Sequence, residues 1–236
     1  MEELTLYQIV HTLEGRIFHL EAHLKLLFEA YYQIFGRGAK LEQAAAEAQI
    51  LAVLRRSRCP KGVSLFIKLT LSPDGTLSVT EHERSLYRGY TMRCLSPRAA
   101  TVECTMPYID YPTAARDTLI GVATAAARKR QGDVALCYHE GIAHTIGGAQ
   151  IFGVSPTDGL VTAAESLSVE HALAKQIATS AEIHITQRPI LVEELRQLDE
   201  LFFVDHYGVT SIKSCNNQYY MSIVAGALAT LLGNQE

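Results

Sequence analysis

The sequence predicts an α+β protein in two halves, on three observations. Short apolar segments separated by Gly, Pro and Asp turns recur through the first half, two Leu- and Ala-rich stretches with helical spacing interrupt them, and after a proline-bearing stretch the strand and helix patterns alternate.

The first half opens with two short strands, 3–10 and 16–19, around the Glu14-Gly15 turn. A helix follows, with Leu20, Leu24, Leu27, Tyr31 and Ile34 on one face and Gly36 and Gly38 closing it. The Ala- and Glu-rich stretch 41–54 carries an apolar stripe and is a second helix. Strands at 63–71 and 77–80 flank the Pro73-Asp74-Gly75 turn as a hairpin. A further strand is expected over 89–96. The stretch 97–112 holds Pro97, Pro107 and Pro112 and has linker composition. The domain reading is therefore an N-terminal α+β domain over 1–104 and a C-terminal α/β domain over 105–236.

The second half begins with an Ala-rich helix from Ala114 to Arg128. Strands are expected at 134–138, 149–154 and 160–162, the last two joined by Pro156-Thr157-Asp158-Gly159. Then come a helix at 169–179, a strand at 183–186, a helix at 191–198, a strand at 201–205 and a closing helix at 218–232. That mixture predicts a sheet or barrel flanked by helices, with a ligand crevice between the halves.

Composition narrows the function classes. With 236 residues, 48% hydrophobic and 19% charged, the chain can bury a large core. The net charge of -4 and scattered basic residues argue against a nucleic-acid partner, and Arg128-Lys129-Arg130 reads as a helix end complementing the dipole. No apolar run reaches the roughly 20 residues of a membrane helix and no leader pattern opens the chain, so a soluble cytoplasmic protein is expected. Five cysteines, Cys59, Cys94, Cys104, Cys137 and Cys215, are widely spaced without a CxxC pair, so reduced thiols are expected and a zinc site is not.

The order of several segments carries a resemblance. Gly15-Arg16-Ile17-Phe18-His19-Leu20, with His23, Leu24, Leu26 and Leu27 beyond it, resembles the opening of the fold-type IV pyridoxal-phosphate (PLP) enzymes: the branched-chain and D-amino-acid aminotransferases and aminodeoxychorismate lyase. Gly132-Asp133-Val134-Ala135-Leu136, Gln150-Ile151-Phe152 and Leu198-Asp199-Glu200-Leu201-Phe202-Phe203 follow in that family's order, so the resemblance spans nearly the whole chain. It implies a two-domain fold with a small N-terminal α/β domain, a larger C-terminal mixed sheet, and a homodimer.

The family's functional positions do not carry over. Counting back from Gly132-Asp133, its Schiff-base lysine falls at Thr113, and no lysine lies between Lys68 and Lys129. A threonine cannot form an imine. The phosphate-gripping arginine falls at Leu26, with Lys25 turned about 100° away around the helix. The acidic partner of the pyridine nitrogen falls at Thr145, which leaves the electron sink unsupported. One further phosphate contact aligns with Val169-Glu170, placing a carboxylate where an anion needs donors, and another with His206-Tyr207, which can still donate.

The resemblance therefore implies a diverged member that has lost PLP-dependent catalysis, with no cofactor expected, and that binds another small anionic ligand. The alternatives are an active aminotransferase or lyase that uses PLP through a misaligned or relocated lysine such as Lys68 or Lys213, and a structural or regulatory dimer subunit. Ligand-binding candidates are Thr113, Arg116, Thr145, Glu170, His206 and Tyr207. Candidates for remaining chemistry are His206, as acid or base, and Lys68. Each has a plainer reading: Thr113 as a helix N-cap, Arg116 as a surface arginine rather than an anion clamp, Lys68 as a strand residue, and His144, Thr145, Gly147 and Gly148 as a loop before a strand. Tyr111, Cys137 and Tyr138 are either crevice or core.

Overall fold

A computed structural model describes residues 4–39, 42–105 and 111–234. The strand expected to begin at 3, the start of the second helix at Leu41, and Pro107 lie partly or wholly outside the described residues. The described residues form two compact units, one running to Gly89 and including Tyr111–Ala115, the other holding the rest.

In the first unit, β1 (Leu6–Leu13), β2 (Arg16–Ile17), β3 (Ser64–Leu71) and β4 (Leu77–Ser85) form an antiparallel sheet in the order β2-β1-β3-β4. The hairpin turn works because Glu14 and Gly15 both take left-handed backbone conformations, φ 51° and 84°. Helix α1 (Leu20–Phe35) ends as expected at Gly36, whose φ of 65° lets its N–H reach Tyr32 O at 2.8 Å. Leu20, Leu24, Leu27 and Tyr31, predicted to share a face, are buried against Leu65, Ile67 and Leu69 of β3. Helix α2 (Gln43–Ser57) runs three residues past the expected 54.

The second unit departs further from expectation. No strand forms over 89–96 beyond an isolated pairing of Met92 with Val209. The strand is instead β5 (Arg98–Glu103), inside the stretch with linker composition. Pro97 precedes it, and proline is compatible with that position. Ala99 and Ala100 hide the strand from propensity, but their small size suits it: Ala100 packs with Ala123 and Ala127 of α3 (Ala114–Arg128) and Ala135 of β6 (Val134–His139).

Strands β7 (Ile142–Ile146), β8 (Ala149–Ser155) and β9 (Gly159–Thr162) extend the sheet. The polar turn expected at 144–148 is in fact half strand. His144 and Thr145 lie on β7, and only Gly147 and Gly148, at φ 59° and 87°, make the two-residue turn between paired Ile146 and Ala149. Helix α4 (Val169–Ser180) is followed by β10 (Ile185–Gln187) and β11 (Ile190–Leu191). The helix expected at 191–198 is a six-residue 3-10 turn, Val192–Gln197. Its first turn is spent on Glu194, which accepts from Leu191 N–H at 2.9 Å and pairs with Arg188 at 2.8 Å.

Strand β12 (Glu200–Asp205) falls where expected, while β13 (Gly208–Ser211), β14 (Ser214–Cys215) and β15 (Gln218–Tyr219) are additional. The last of these displaces the start of the closing helix, α5 (Ile223–Gly233), from 218 to Ile223. The mixed sheet runs β10-β9-β8-β7-β6-β5-β14-β15, with β11 pairing with β7 and β12 pairing with β8 and β13.

Candidate functional site

Two neighbourhoods of the second unit gather most of the predicted residues. The first is the N-terminal end of α4 facing the β12–β13 turn. Ser168 caps α4, its hydroxyl accepting His171 N–H at 3.1 Å and donating to Glu170. Glu170 is buried, and that burial, aided by the charge of Asp205, pushes its carboxyl up to about 7. Burial likewise raises Asp205 to about 6, against the opposing pull of Arg93. The Asp205 side chain keeps 22% of its surface exposed, so its penalty is the smaller of the two.

Arg93 reaches into this group from the segment mistaken for a strand. Its guanidinium lies 4.0 Å from the Asp205 carboxylate, 3.5 Å from Thr210 Oγ1 and 4.9 Å from the centre of the Tyr207 ring. Sequence reading missed it because 89–96 reads as a regular strand, whereas the place of Arg93 is set by the pairing of Met92 and Arg93 with the distant Val209. Asp205 also turns the loop, accepting Tyr207 N–H at 2.9 Å, and the His206 and Tyr207 ring centres lie 4.0 Å apart with their planes tilted by 40°. Of the candidates, Glu170, His206 and Tyr207 therefore belong to this neighbourhood.

The second neighbourhood is a cavity of about 400 Å³ whose walls include His144, Thr145, Gln150, Ile151, Leu167 and Ile190. Its back wall is the segment 163–167, which three anchors hold in place. Gln150 donates to Glu165 O at 2.9 Å and accepts Leu167 N–H at 2.6 Å, and Lys175 donates to Ala164 O at 2.5 Å. Thr145 is 4% exposed, and its hydroxyl makes no conventional hydrogen bond among the described residues. It lies beside the Cys137 thiol across the β6–β7 pairing. No lysine or arginine stands among the described residues lining this cavity.

The remaining candidates serve structure at least in part. Arg116 donates to Gly148 O at 3.4 Å, bracing the glycine turn from α3. Cys137 is core, its thiol 3.1 Å from that of Cys104 and raised above the usual range by burial, while Tyr138 packs at the edge of a cluster. In the first unit, Thr113 is buried and pairs with Leu6, and Lys68 holds its ammonium 4.0 Å over the Tyr7 ring. Tyr111 packs against that unit's core, Leu26 is half-buried on α1, and Lys213 is exposed. His23 is fully enclosed, with Nδ1 3.1 Å from Gln8 Oε1, and burial drops its imidazole to about 3. It is a neutral core histidine.

The Gly132-Asp133 motif also resolves into structure. Asp133 receives Arg98 through Nε and Nη2, both at 3.1 Å, and Arg98 N–H at 2.9 Å, which ties the start of β5 to that of β6. Gly132 is required because a Cβ there would come within 2.9 Å of the Ala100 Cβ.

No protein-family model and no curated protein sequence matches this chain at a significant level. Solved structures do. A branched-chain aminotransferase from Thermoproteus uzoniensis, solved with norvaline, superposes with a TM-score of 0.79 at 18% identity over 99% of this chain and 87% of its own. An aminotransferase from Brucella abortus bound to PLP gives 0.81 at 13% identity, over 98% and 88%. A 4-amino-4-deoxychorismate lyase candidate from Legionella pneumophila gives 0.82 at 12% identity, over 99% and 92%. The α+β chain described here is thus built on the fold that the fold-type IV aminotransferases and aminodeoxychorismate lyase share.

Proposed function

We propose that this protein is a fold-type IV scaffold that has left PLP catalysis and holds a small molecule in the cavity beside Thr145. The observation that carries the reading is the buried Glu170 carboxyl at the first turn of α4, the position that the family resemblance assigns to a phosphate contact. When ionised it faces an incoming phosphate with like charge, and two like charges a few Å apart cost about 1 kcal/mol even in water and several times that when buried. The nearby cation, Arg93, is engaged with Asp205 and Tyr207. These residues do not fit the cofactor's phosphate, and Thr113 offers its aldehyde no amine.

The cavity itself favours an uncharged or weakly polar ligand. Eight of its twelve lining residues are apolar, His144, Thr145 and Gln150 are polar, and Glu165 is the one charged residue among them. The small anionic ligand expected from sequence would meet no cation among the described lining residues. Self-association into a homodimer is part of the same proposal, supported by the exposed apolar run Tyr219, Met221 and Ile223.

The test is direct. Purified protein is mixed with PLP, its visible spectrum recorded, and the mixture reduced with borohydride and mapped by mass spectrometry. We expect no imine band and no phosphopyridoxyl-lysine. A stoichiometric adduct at one lysine, whether Lys68, Lys175 or Lys213, would overturn the reading in favour of a relocated catalytic lysine.

A further inference from the structure

The first unit carries a cavity of its own, about 590 Å³, between the C-terminal end of α2, the loop leading into β3 and the β1–β2 hairpin turn. Leu51, Leu54, Val63 and Leu65 give it an apolar lining. Arg55, Arg58 and Lys61 also line it, opposed by a single carboxylate, Glu14, so its local charge is positive in a chain whose net charge is -4.

Most such cations merely complete a helix end, and here that work is already done by others. The Ser57 carbonyl accepts Arg84 at 2.8 Å and the Leu54 carbonyl accepts the Ser57 hydroxyl at 2.9 Å, while the Arg56 side chain is engaged with the Ala52 carbonyl at 3.2 Å. Elsewhere in the unit Arg37 and Arg88 donate to the Pro73 and Gly62 carbonyls, and Lys25 pairs with Glu29. Arg55, Arg58 and Lys61, by contrast, have no hydrogen-bond or ion-pair partner among the described residues, and all three border the same cavity. Three exposed cations that border one recess with an apolar lining, and that have no structural partners among the described residues, fit a ligand that brings its own negative charge.

We propose that this cavity binds an amphiphilic organic anion. A carboxylate, sulfonate or phosphate group would be held by Arg55, Arg58 and Lys61, while an apolar body the size of one or two rings lies on Leu51, Leu54, Val63 and Leu65. Glu14 offsets one of the three cations, which favours a ligand of one or two negative charges. The site shares no residue with the cavity beside Thr145, and it stands or falls independently of the reading of that cavity.

The probe is anilinonaphthalene sulfonate, which joins an apolar ring system to one anionic group, titrated by fluorescence into the full-length protein. Phenylnaphthylamine, of similar shape but uncharged, is the control. One saturable site is expected for the sulfonate, with its Kd rising about tenfold or more in the Arg55→Gln/Arg58→Gln double variant. A similar weakening is expected as salt rises from about 0.05 to 0.5 M. The neutral control should show neither dependence. Both arginines are exposed, so the double variant should fold, and an unchanged circular dichroism spectrum checks this. The proposal is overturned if no saturable site is found, or if the sulfonate binds the double variant as tightly as the natural protein.

Discussion

Glu170 concentrates the protein's divergence in one side chain. The neutral acid is tolerated where it lies, but the carboxylate has lost water and faces the field of Asp205. With its carboxyl raised from an ordinary value to about 7, the folded state holds a proton that the unfolded chain releases near pH 4.3. Stability from this residue is therefore fully present below about pH 4 and is lost as pH rises toward 7. Glu170→Gln keeps the shape and cannot ionise. Its expected effect in urea unfolding at pH 8 is a gain of roughly 1–3 kcal/mol, shrinking toward zero at pH 4. A gain that is the same at both pH values would mean that ionisation is not the cause. None of this is visible in sequence, because Glu170 becomes costly only once α4 and the β12–β13 turn enclose it and Arg93 has taken Asp205.

At the scale of elements, a buried acid at the start of α5 shows the opposite outcome. Glu200, on β12, is 2% exposed, and its carboxylate accepts the N–H groups of Ile223, Val224 and Ala225 at 2.7, 2.8 and 3.0 Å. Those are donors that a helix start leaves unpaired, and a negative charge there complements the dipole. Glu200→Ala should cost about 2–4 kcal/mol, read from the shift of the urea midpoint, because it strands three helix-start donors at once, that of Ala225 in a buried position. Glu200→Gln should cost less, since its carbonyl still accepts; equal losses would show that packing, not capping, sets the effect. This contact also explains why the closing helix was misplaced by sequence reading: the cap comes from a strand 23 residues away. Elements with local signals were legible, such as α1 with its apolar face and terminal Gly36, the β3–β4 hairpin with Pro73-Asp74-Gly75, and α4 behind Ser168. Those specified by distant partners were not: β5 is alanine-rich and stabilised by α3 and β6, and β13 to β15 are too short to show a period. The candidate site was half legible for the same reason. Family order pointed to Thr145, Glu170, His206 and Tyr207, while Arg93 and Asp205 emerge only from packing.

Over the whole molecule, buried titratable groups divide unevenly between the two units, and that predicts opposite responses to pH. The first unit encloses His23, whose imidazole burial holds at about 3. Since the unfolded chain takes up that proton near pH 6.5, this unit gains stability as pH rises from about 3 to 6.5 and then levels off. The second unit encloses His171, also held at about 3 by burial and tied to Thr162 at 2.7 Å and Ser166 at 2.8 Å. Its positive slope is opposed by two raised carboxyls, Asp205 up to about 6 and Glu170 up to about 7. Between about pH 4.5 and 6 the two acids outweigh the one histidine, so the second unit should lose stability slightly while the first gains. Below about pH 4 the acids no longer differ between folded and unfolded states, and both units should weaken together. Asp74, held below its ordinary range by Thr76, and Asp133, held at about 2 by Arg98, add to that acid loss. Peptide-level hydrogen exchange in urea, corrected for intrinsic rates, reads each unit separately: β3 for the first, β12 for the second. Moving from pH 4.5 to 6 should raise protection in β3 and leave β12 flat or lower. In Glu170→Gln the β12 response should shift toward a rise, because one opposing acid is gone; parallel rises in both strands of the natural protein would refute the assignment of these buried charges.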